Sequence, residues 1–228
     1  MPPLCGLPSS LNSEWGSNGG AGGARDGRPL NRKIVVVGDG ACGKTSLLNV
    51  FVLGRFPENY EPTVFENHCL DLTVDGTELE LSLWDTAGQE DFARLRSLSY
   101  ADTNLVLLCF SVDQPVSLEN VEAKWIDEIR NNCPGVKICL VALKCDLRED
   151  WTVREKLARR GEAIVEYEAG LEMAKRIRAA RYLECSAKHN RGVTECFEEA
   201  ARVCITARRA GETQGSRDER EGTGCAVM

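Results

Sequence analysis

A glycine-rich segment that contains one lysine and one threonine carries the clearest chemical signal in the sequence. Residues 38–45 run Gly-Asp-Gly-Ala-Cys-Gly-Lys-Thr and match the pattern G-x-x-x-x-G-K-[ST]. The glycines allow the main chain to curl until several N–H groups face one anion, and the start of the following helix adds positive potential. We therefore predict that this segment, here called the phosphate loop, binds nucleotide phosphates. Lys44 would reach the β- and γ-phosphates, and the Thr45 hydroxyl would bind Mg²⁺.

Strand and helix patterns place the phosphate loop between two elements. The β-branched run 33–37 predicts a strand covered on both faces, and residues 44–53 follow a helical pattern. Apolar and polar residues alternate over 70–74 and 79–83, and the dipeptide Asp75-Gly76 between them predicts a hairpin. Further strands are predicted at 105–110, 136–143 and 182–185, with helices at 116–131, 162–178 and 193–207.

This order of elements predicts an α/β fold. One antiparallel hairpin within a series of βαβ units gives a six-stranded, mostly parallel sheet with helices on both faces. Ligands of such sheets bind at the carboxyl ends of the strands, where the phosphate loop lies. Residues 1–31 and 208–228 are polar and glycine-rich, so we expect a disordered N-terminal extension and a flexible C-terminal tail around one domain at 32–207.

Composition and charge disfavour several classes of protein. The chain has 228 residues, is 43% hydrophobic and carries a net charge of −7, which disfavours nucleic-acid binding because phosphate neutralisation needs clustered cations. The longest strongly apolar run, residues 105–112, is shorter than the about 20 residues of a membrane span. Eleven cysteines without a C-x-x-C pair, and only two histidines, favour reduced thiols in a cytosolic protein over a disulfide framework or a Cys/His metal site.

A second motif, Trp84-Asp-Thr-Ala-Gly-Gln-Glu90, follows the phosphate loop along the chain. Together the two motifs resemble the Ras superfamily of small GTPases, which implies the G-domain fold of the P-loop NTPases. Residues 60–67 (Tyr-Glu-Pro-Thr-Val-Phe-Glu-Asn) and 92–100 (Phe-Ala-Arg-Leu-Arg-Ser-Leu-Ser-Tyr) are similar to Rho-type members. The resemblance covers about residues 32–207, includes five motifs in the family's order, and is closest to the fungal Rho branch associated with polarised secretion and growth.

The resemblance implies roles for four residues around the phosphates. Thr63 would coordinate Mg²⁺ and sense the γ-phosphate, and Asp85 would hold Mg²⁺ through water. Gly88 would bring its N–H to the γ-phosphate because no side chain blocks the approach. Gln89, which carries both a donor and an acceptor, would orient the attacking water.

Base recognition is predicted from the segments 144–146 (Lys-Cys-Asp) and 186–188 (Ser-Ala-Lys). The Asp146 carboxylate would accept from the N1–H and 2-amino groups of guanine, which adenine lacks, and the Ala187 N–H would donate to O6. The Lys144 stem would cover the base. The resemblance also implies that Phe56 packs on base or ribose and that Tyr60 closes over the phosphates. The predicted catalytic residues are Lys44, Thr63 and Gln89; the predicted nucleotide-binding residues are Gly38, Asp39, Gly40, Ala41, Cys42, Gly43, Lys44, Thr45, Ser46, Phe56, Tyr60, Thr63, Asp85, Gly88, Lys144, Asp146, Leu147, Ser186, Ala187 and Lys188.

One residue departs from the family pattern. The pattern before the base-reading aspartate is Asn/Thr-Lys-x-Asp, and the first position here is Leu143. A leucine cannot supply the polar contact that ties this segment to the phosphate loop and the base. Two interpretations stay open: nucleotide binding is looser than in a member with asparagine, unless the site has repacked, or the contact is dispensable in this branch.

Two further features also leave alternatives open. Nine of the fifteen residues 148–162 are charged, which is similar to the insert helix of Rho proteins; this segment is either a docking surface or a solvated charged face. Cys42 lies inside the phosphate loop, where N–H groups and Lys44 would lower its pKa and make it redox-sensitive. The alternative is that Cys42 is a small packing residue.

The ends of the chain predict lipid attachment. The segment Cys225-Ala-Val-Met fits C-a-a-X, and the terminal methionine favours a farnesyl group on Cys225. One lipid gives only marginal membrane residence, and residues 208–224 carry no net charge to reinforce it. We therefore expect S-palmitoylation at Cys5, with an idle thiol as the alternative and Cys204 as a weaker candidate.

These features together predict a Rho-type small GTPase. It would hydrolyse GTP slowly to GDP and phosphate, and switch segments at about 56–66 and 86–100 would report which nucleotide is bound. We expect exchange factors, GTPase-activating proteins and effectors of polarity, actin and exocytosis to bind a monomer at the cytoplasmic face of the plasma membrane, with a cytosolic pool. The alternatives are a P-loop ATPase or nucleotide kinase, which would lack the base-reading segments, and a nucleotide-loaded, non-hydrolysing scaffold, against which Gly40, Thr63 and Gln89 argue.

Overall fold

The computed structural model describes residues 29–59 and 61–206. Tyr60 lies outside the described residues, and so do the predictions for Cys5, for Cys225, for the C-terminal tail and for residues 1–28 of the N-terminal extension. The predicted boundary at residue 32 is two residues late, because the first strand begins at Leu30. The described residues build one sheet with helices on both of its faces.

The sheet confirms the predicted mixed topology. Its strands are β1 (Leu30–Gly38), β2 (Phe65–Val74), β3 (Thr77–Thr86), β4 (Leu105–Ser111), β5 (Lys137–Leu143) and β6 (Arg181–Glu184). Their order across the sheet is β2-β3-β1-β4-β5-β6. Only β2 and β3 run antiparallel, joined by the Asp75-Gly76 turn, while the other neighbours are parallel. The phosphate loop therefore follows a central strand, as the pattern of β-branched residues predicts.

The helices and helical turns lie between these strands. They are α1 (Lys44–Leu53), α2 (Ala93–Leu98), α3 (Pro115–Asn120), α4 (Ile126–Asn132), α5 (Trp151–Ala158), α6 (Tyr167–Ile177) and α7 (Val193–Thr206). A π-helical segment, Val121–Trp125, joins α3 to α4, and 3-10 turns cover Glu90–Phe92 and Cys145–Arg148. Among the described residues, no helix is long and apolar enough to span a membrane.

Two apolar clusters cover the two faces of the sheet. Successive residues of a strand point to opposite faces, so Ile34 and Val36 pack with residues of α1 and α7, whereas Val35 and Val37 pack with residues of α4 and α6. Every residue of β4 is buried, as expected for a central strand covered on both faces. This rigid centre fixes the strand ends that carry the functional side chains.

One predicted helix begins later than expected. Residues 162–178 were predicted as helix, but α6 begins at Tyr167. Ile164 and Val165 are buried, and the Val165 N–H donates to the Val112 carbonyl at 2.9 Å. This segment therefore lies against the end of β4 before the helix starts.

A helix also lies within the charged residues 148–162. This helix, α5, begins after Asp150, whose carboxylate accepts from the N–H groups of Thr152 and Val153.

Candidate functional site

The phosphate loop is a tight turn between β1 and α1 that only glycine can form at key positions. Gly38 and Gly43 have φ values of 141° and 110°, and a Cβ atom at Gly38 would lie 2.1 Å from the Cys109 carbonyl oxygen. No side chain caps α1 at Gly43, so the loop and helix present main-chain N–H groups to an anion. Lys44 is only 6% exposed, and its Nζ donates to the Gly38 and Asp39 carbonyls at 2.8 and 2.9 Å.

Three oxygen-bearing side chains converge beside the phosphate loop. The Thr45 hydroxyl donates to Asp85 Oδ2 at 2.6 Å, and the Thr45 and Thr63 hydroxyl oxygens are 2.5 Å apart. Asp85 is fully buried, its Oδ1 has no hydrogen-bond partner, and burial raises the pKa of its carboxyl to about 6. These three residues come from α1, the segment before β2, and β3, so the fold assembles an oxygen site of the kind that hard divalent cations prefer.

Gly88 and Gln89 lie close to the phosphate loop. A Cβ atom at Gly88 would lie 2.3 Å from the Gly40 main-chain nitrogen, so no other residue fits there. The Gln89 side chain lies over Gly40, with Cδ 3.9 Å from the position that a Gly40 Cβ would occupy. The structure therefore brings the predicted water-orienting amide next to the phosphate loop.

A buried arginine that sequence reasoning missed holds this segment in place. Arg96 is 2% exposed, and its Nη1 donates to the carbonyls of Ala87 and Gln89 at 2.6 and 3.2 Å. It also binds Glu128 through two hydrogen bonds of 2.6 and 2.8 Å, and the Tyr100 hydroxyl donates to the same carboxylate. Burial opposes ionisation of Glu128, but the hydrogen bonds from Arg96 and Tyr100 outweigh it and lower its pKa.

The helical stretch that carries Glu128 also binds the phosphate loop. It consists of α3, the π-helical segment and α4 in succession. Trp125 Nε1 and Asn120 Nδ2 donate to the two Asp39 carboxylate oxygens, each at 2.7 Å. Trp125 belongs to the π-helical segment, and π-bulges are frequent at functional sites. Asp39 is therefore fixed by neighbours outside the loop rather than directed at a ligand. No sequence pattern indicated these long-range partners.

The base-reading segments form one cavity of about 120 Å³. Asp146 Oδ1 is buried without a hydrogen-bond partner. Phe56, although 47% exposed, also borders the cavity. The lining residues are Gly43, Ser46, Phe56, Leu143, Lys144, Asp146, Leu147, Ala187 and Lys188. Eight of these nine residues were predicted to bind nucleotide; Leu143 was singled out as the departure. Ser186 is fully buried behind them, where its Oγ accepts from the His189 N–H at 3.2 Å.

Two base-reading segments are fastened to each other by an ion pair that the sequence analysis did not identify. Arg148 donates to both Glu184 carboxylate oxygens at 2.7 Å, and the Tyr182 hydroxyl donates to the same carboxylate at 2.5 Å. The Cys145 N–H donates to the Cys185 carbonyl at 3.2 Å. Arg148 lies two residues after Asp146 and Glu184 two before Ser186, which is the only sequence signal that could have indicated the pair.

Cys42 has the surroundings of a packing residue. Its side chain is completely buried, and burial raises the pKa of its thiol despite the nearby Lys44. Since the thiolate is the reactive form, these observations favour the packing interpretation over redox sensitivity. Cys204 is also fully buried, and burial raises its pKa to about 12, so it is not available for lipid attachment in this fold.

The fold and site define a nucleotide-binding protein of the P-loop class, and comparison with known proteins makes the assignment narrower. A model of the Ras family matches residues 33–206. The chain is 58% identical to the GTP-binding protein rho3 of Schizosaccharomyces pombe over 203 residues, which covers 88% of this chain and 95% of that protein. It is 52% identical to the GTP-binding protein RHO3 of Saccharomyces cerevisiae over an alignment of 249 residues that covers both chains completely.

A human relative, the Rho-related GTP-binding protein RhoB, is 57% identical over 179 residues, which covers 78% of this chain and 91% of that protein. The chain therefore belongs to the Ras family, and within it to the Rho-type small GTPases. This confirms the resemblance inferred from the motifs and excludes a nucleotide kinase or an unrelated P-loop ATPase.

Proposed function

We propose that this site binds GTP with Mg²⁺, hydrolyses it slowly to GDP and phosphate, and so switches the protein between two states. The observation that supports this most directly is a pair of buried carboxylate oxygens without partners, Asp85 Oδ1 and Asp146 Oδ1. An unpartnered buried oxygen costs free energy, so a ligand that completes both positions is favoured. A magnesium-bound guanine nucleotide brings a cation to one oxygen and N–H donors to the other.

Guanine is the base that the Asp146 side of the cavity accepts. The carboxylate accepts from N1–H and from the 2-amino group, and the Ala187 N–H donates to O6. Adenine has an acceptor at N1 and no amino group at C2, so Asp146 would stay unpaired. Sites built on such hydrogen bonds reject the wrong analogue by about 10⁴–10⁵.

The phosphate side positions the reacting groups. Lys44 and the N–H groups of the loop bind the β- and γ-phosphates, and Thr45, Thr63 and Asp85 are the residues that would hold Mg²⁺. Mg²⁺, when bound, neutralises charge on the phosphate oxygens. Gln89 orients a water whose oxygen attacks the γ-phosphorus while the bond from phosphorus to the β-γ bridging oxygen breaks; the proton of the water leaves with inorganic phosphate.

Two contacts convert the reaction into a switch. Thr63 and Gly88 would both contact the γ-phosphate, so the segments that carry them would be held while GTP is bound and released after hydrolysis. An arginine supplied by an activating protein would accelerate the slow intrinsic step. Exchange factors and effectors would recognise the two states.

The protein acts at the cytoplasmic face of the plasma membrane in this proposal. The C-a-a-X segment at Cys225 supports prenylation, and Cys5 is the proposed second attachment site because one lipid alone binds weakly. The similarity to two fungal Rho3 proteins named as GTP-binding proteins agrees with the resemblance of the motifs to the fungal Rho branch. On that resemblance we propose effectors of polarity, actin and exocytosis for a monomeric switch with a cytosolic pool.

Single-turnover hydrolysis tests the proposal. Protein loaded with radiolabelled GTP should release phosphate at roughly 10⁻⁴ s⁻¹ alone and several orders of magnitude faster with a Rho-type activating protein. A large excess of ATP should not compete during loading. Equal competition by ATP, or GTP that stays intact with the activating protein present, would contradict it.

A further inference from the structure

The position that departs from the family pattern is filled by a buried apolar side chain. Leu143 is 2% exposed, and its Cδ1 lies 3.7 Å from the position that a Cβ atom of Gly43 would occupy. The leucine therefore packs against the phosphate loop in van der Waals contact. It supplies no hydrogen bond from its side chain, so a polar tie between this segment and the rest of the site has to come from another residue.

The next residue, Lys144, makes that polar contact. Its main chain is left-handed, with φ 58° and ψ 35°, a conformation that residues other than glycine seldom adopt and that surrounding contacts must hold. Its stem also lies over the phosphate loop, with Cε 3.8 Å from the Gly43 Cβ position. Its ammonium group lies 3.3 Å from Asp113 Oδ1, and both side chains are half-buried.

Asp113 is itself held in place. The Ser111 hydroxyl donates to Asp113 Oδ1, and Ser111 is a fully buried residue at the end of β4. The Val112 N–H between them donates to the Leu143 carbonyl at 3.1 Å, which joins the end of β4 to the end of β5. The carboxylate is therefore attached to the rigid centre of the sheet rather than to a switch segment.

We propose that Asp113 is a positioning residue for the guanine nucleotide. It holds the Lys144 ammonium so that the lysine stem lies between the phosphate loop and the base cavity. This ion pair replaces the polar contact that the Leu143 side chain cannot make. This inference rests on the proposed function, because it concerns retention of the same nucleotide. It assigns to Asp113 an effect on nucleotide release and none on the hydrolytic step.

Release of a fluorescent GDP analogue from the full-length protein in Mg²⁺ tests this assignment. Asp113→Asn keeps the shape but removes the charge, and should accelerate release about ten-fold, the equivalent of ~1.4 kcal/mol. Asp113→Glu retains the charge and should stay close to the parent, as should Asp127→Asn, which changes an exposed aspartate on α4. Single-turnover GTP hydrolysis and the melting temperature should match the parent in the control, Asp127→Asn. In Asp113→Asn the melting temperature should fall only by the amount that weaker GDP binding removes.

A double-variant cycle tests the link to Leu143. If the Asp113–Lys144 pair replaces the polar contact that Leu143 lacks, an asparagine at position 143 is needed most when Asp113 is lost. Leu143→Asn should therefore slow GDP release more in the Asp113→Asn background than in the parent, and the effects of the two substitutions should not add. Leu143→Thr serves as the second version of this change, because asparagine at a buried position lowers stability. Parent-like release from Asp113→Asn, or additive effects in the cycle, would overturn the inference. A parent protein that binds no GDP would instead overturn the proposed function.

Discussion

The two ends of the site are built differently. At the phosphate end the groups proposed to bind the ligand are main-chain N–H groups, hydroxyls, Lys44 and Asp85, and Thr63 and Gln89 reach this end from segments outside the regular strands. At the base end the segments are bound to each other by the bidentate Arg148–Glu184 pair and by main-chain hydrogen bonds. In the proposed function, the base end would retain the nucleotide while the phosphate end would sense it. Changes at the phosphate end should therefore alter hydrolysis, and changes at the base end should alter retention.

The largest expected effect is at the phosphate end. Gln89→Leu removes the amide that orients water and should lower stimulated hydrolysis by at least ~10³-fold. GDP release should remain close to the parent rate, because no base contact changes. Phosphate release in single-turnover experiments, measured beside GDP release, checks both halves of this prediction. Stimulated hydrolysis at the parent rate would remove Gln89 from the proposed mechanism.

A large effect on nucleotide binding, rather than on hydrolysis, is expected for Asp146→Asn. The new amide can donate to a base where the carboxylate only accepts, so guanine should bind roughly 10²–10³-fold more weakly while xanthine, which has an oxygen at C2, should bind better. Competition between GDP and xanthosine diphosphate measures the change. Unaltered preference for GDP would show that Asp146 does not contact the base.

An effect of intermediate size is expected for a change at Glu128, which supports Gln89 through Arg96. Glu128→Gln removes the charge that pairs with buried Arg96, which donates to the Ala87 and Gln89 carbonyls. We expect hydrolysis about ten-fold slower and a fold less stable by roughly 3 kcal/mol, because breaking a buried pair leaves an uncompensated charge. Hydrolysis and chemical unfolding are the measurements, with Glu119→Gln, an exposed change on α3, as the control. Lower stability with unchanged hydrolysis would limit Arg96 to a structural role.

The smallest effect is expected for Glu184→Gln at the base end. Loss of the charge opposite Arg148 should loosen the register between the two base-reading segments and accelerate GDP release a few-fold, because a partly exposed pair contributes about 1 kcal/mol. Hydrolysis of bound GTP should not change. Release rates of Glu184→Gln and of Glu168→Gln, an exposed carboxylate on α6, give the comparison. Equal rates would mean that main-chain contacts alone set the register.

The sequence predicts the sheet and the position of the phosphate loop well for physical reasons. Strand periodicity, the Asp75-Gly76 turn and the phosphate-loop glycines act through neighbouring residues, so they leave local patterns. Asp146 and Ser186 were also predicted because their motifs are short and contiguous. The motifs, together with the family resemblance that added Phe56, named eight of the nine residues that line the base cavity, with Leu143 as the ninth.

The supporting contacts could not be predicted in the same way. Arg96 binds Glu128, and Trp125 binds Asp39, across long stretches of chain, and no local spacing specifies such partners. The late start of α6 likewise depends on Val165 binding the Val112 carbonyl, a tertiary contact that overrides helical propensity. Burial of Cys42 by the β-sheet also depends on the fold, and the sequence left its reactivity open.

The most direct test of this account is the nucleotide content of the purified full-length protein. Denaturing the protein and separating the released nucleotides should yield close to one GDP per chain, and protein stripped with a chelator should regain GDP or GTP when Mg²⁺ is restored. A protein that is purified empty and takes up neither nucleotide at micromolar concentration in the presence of Mg²⁺ would contradict it.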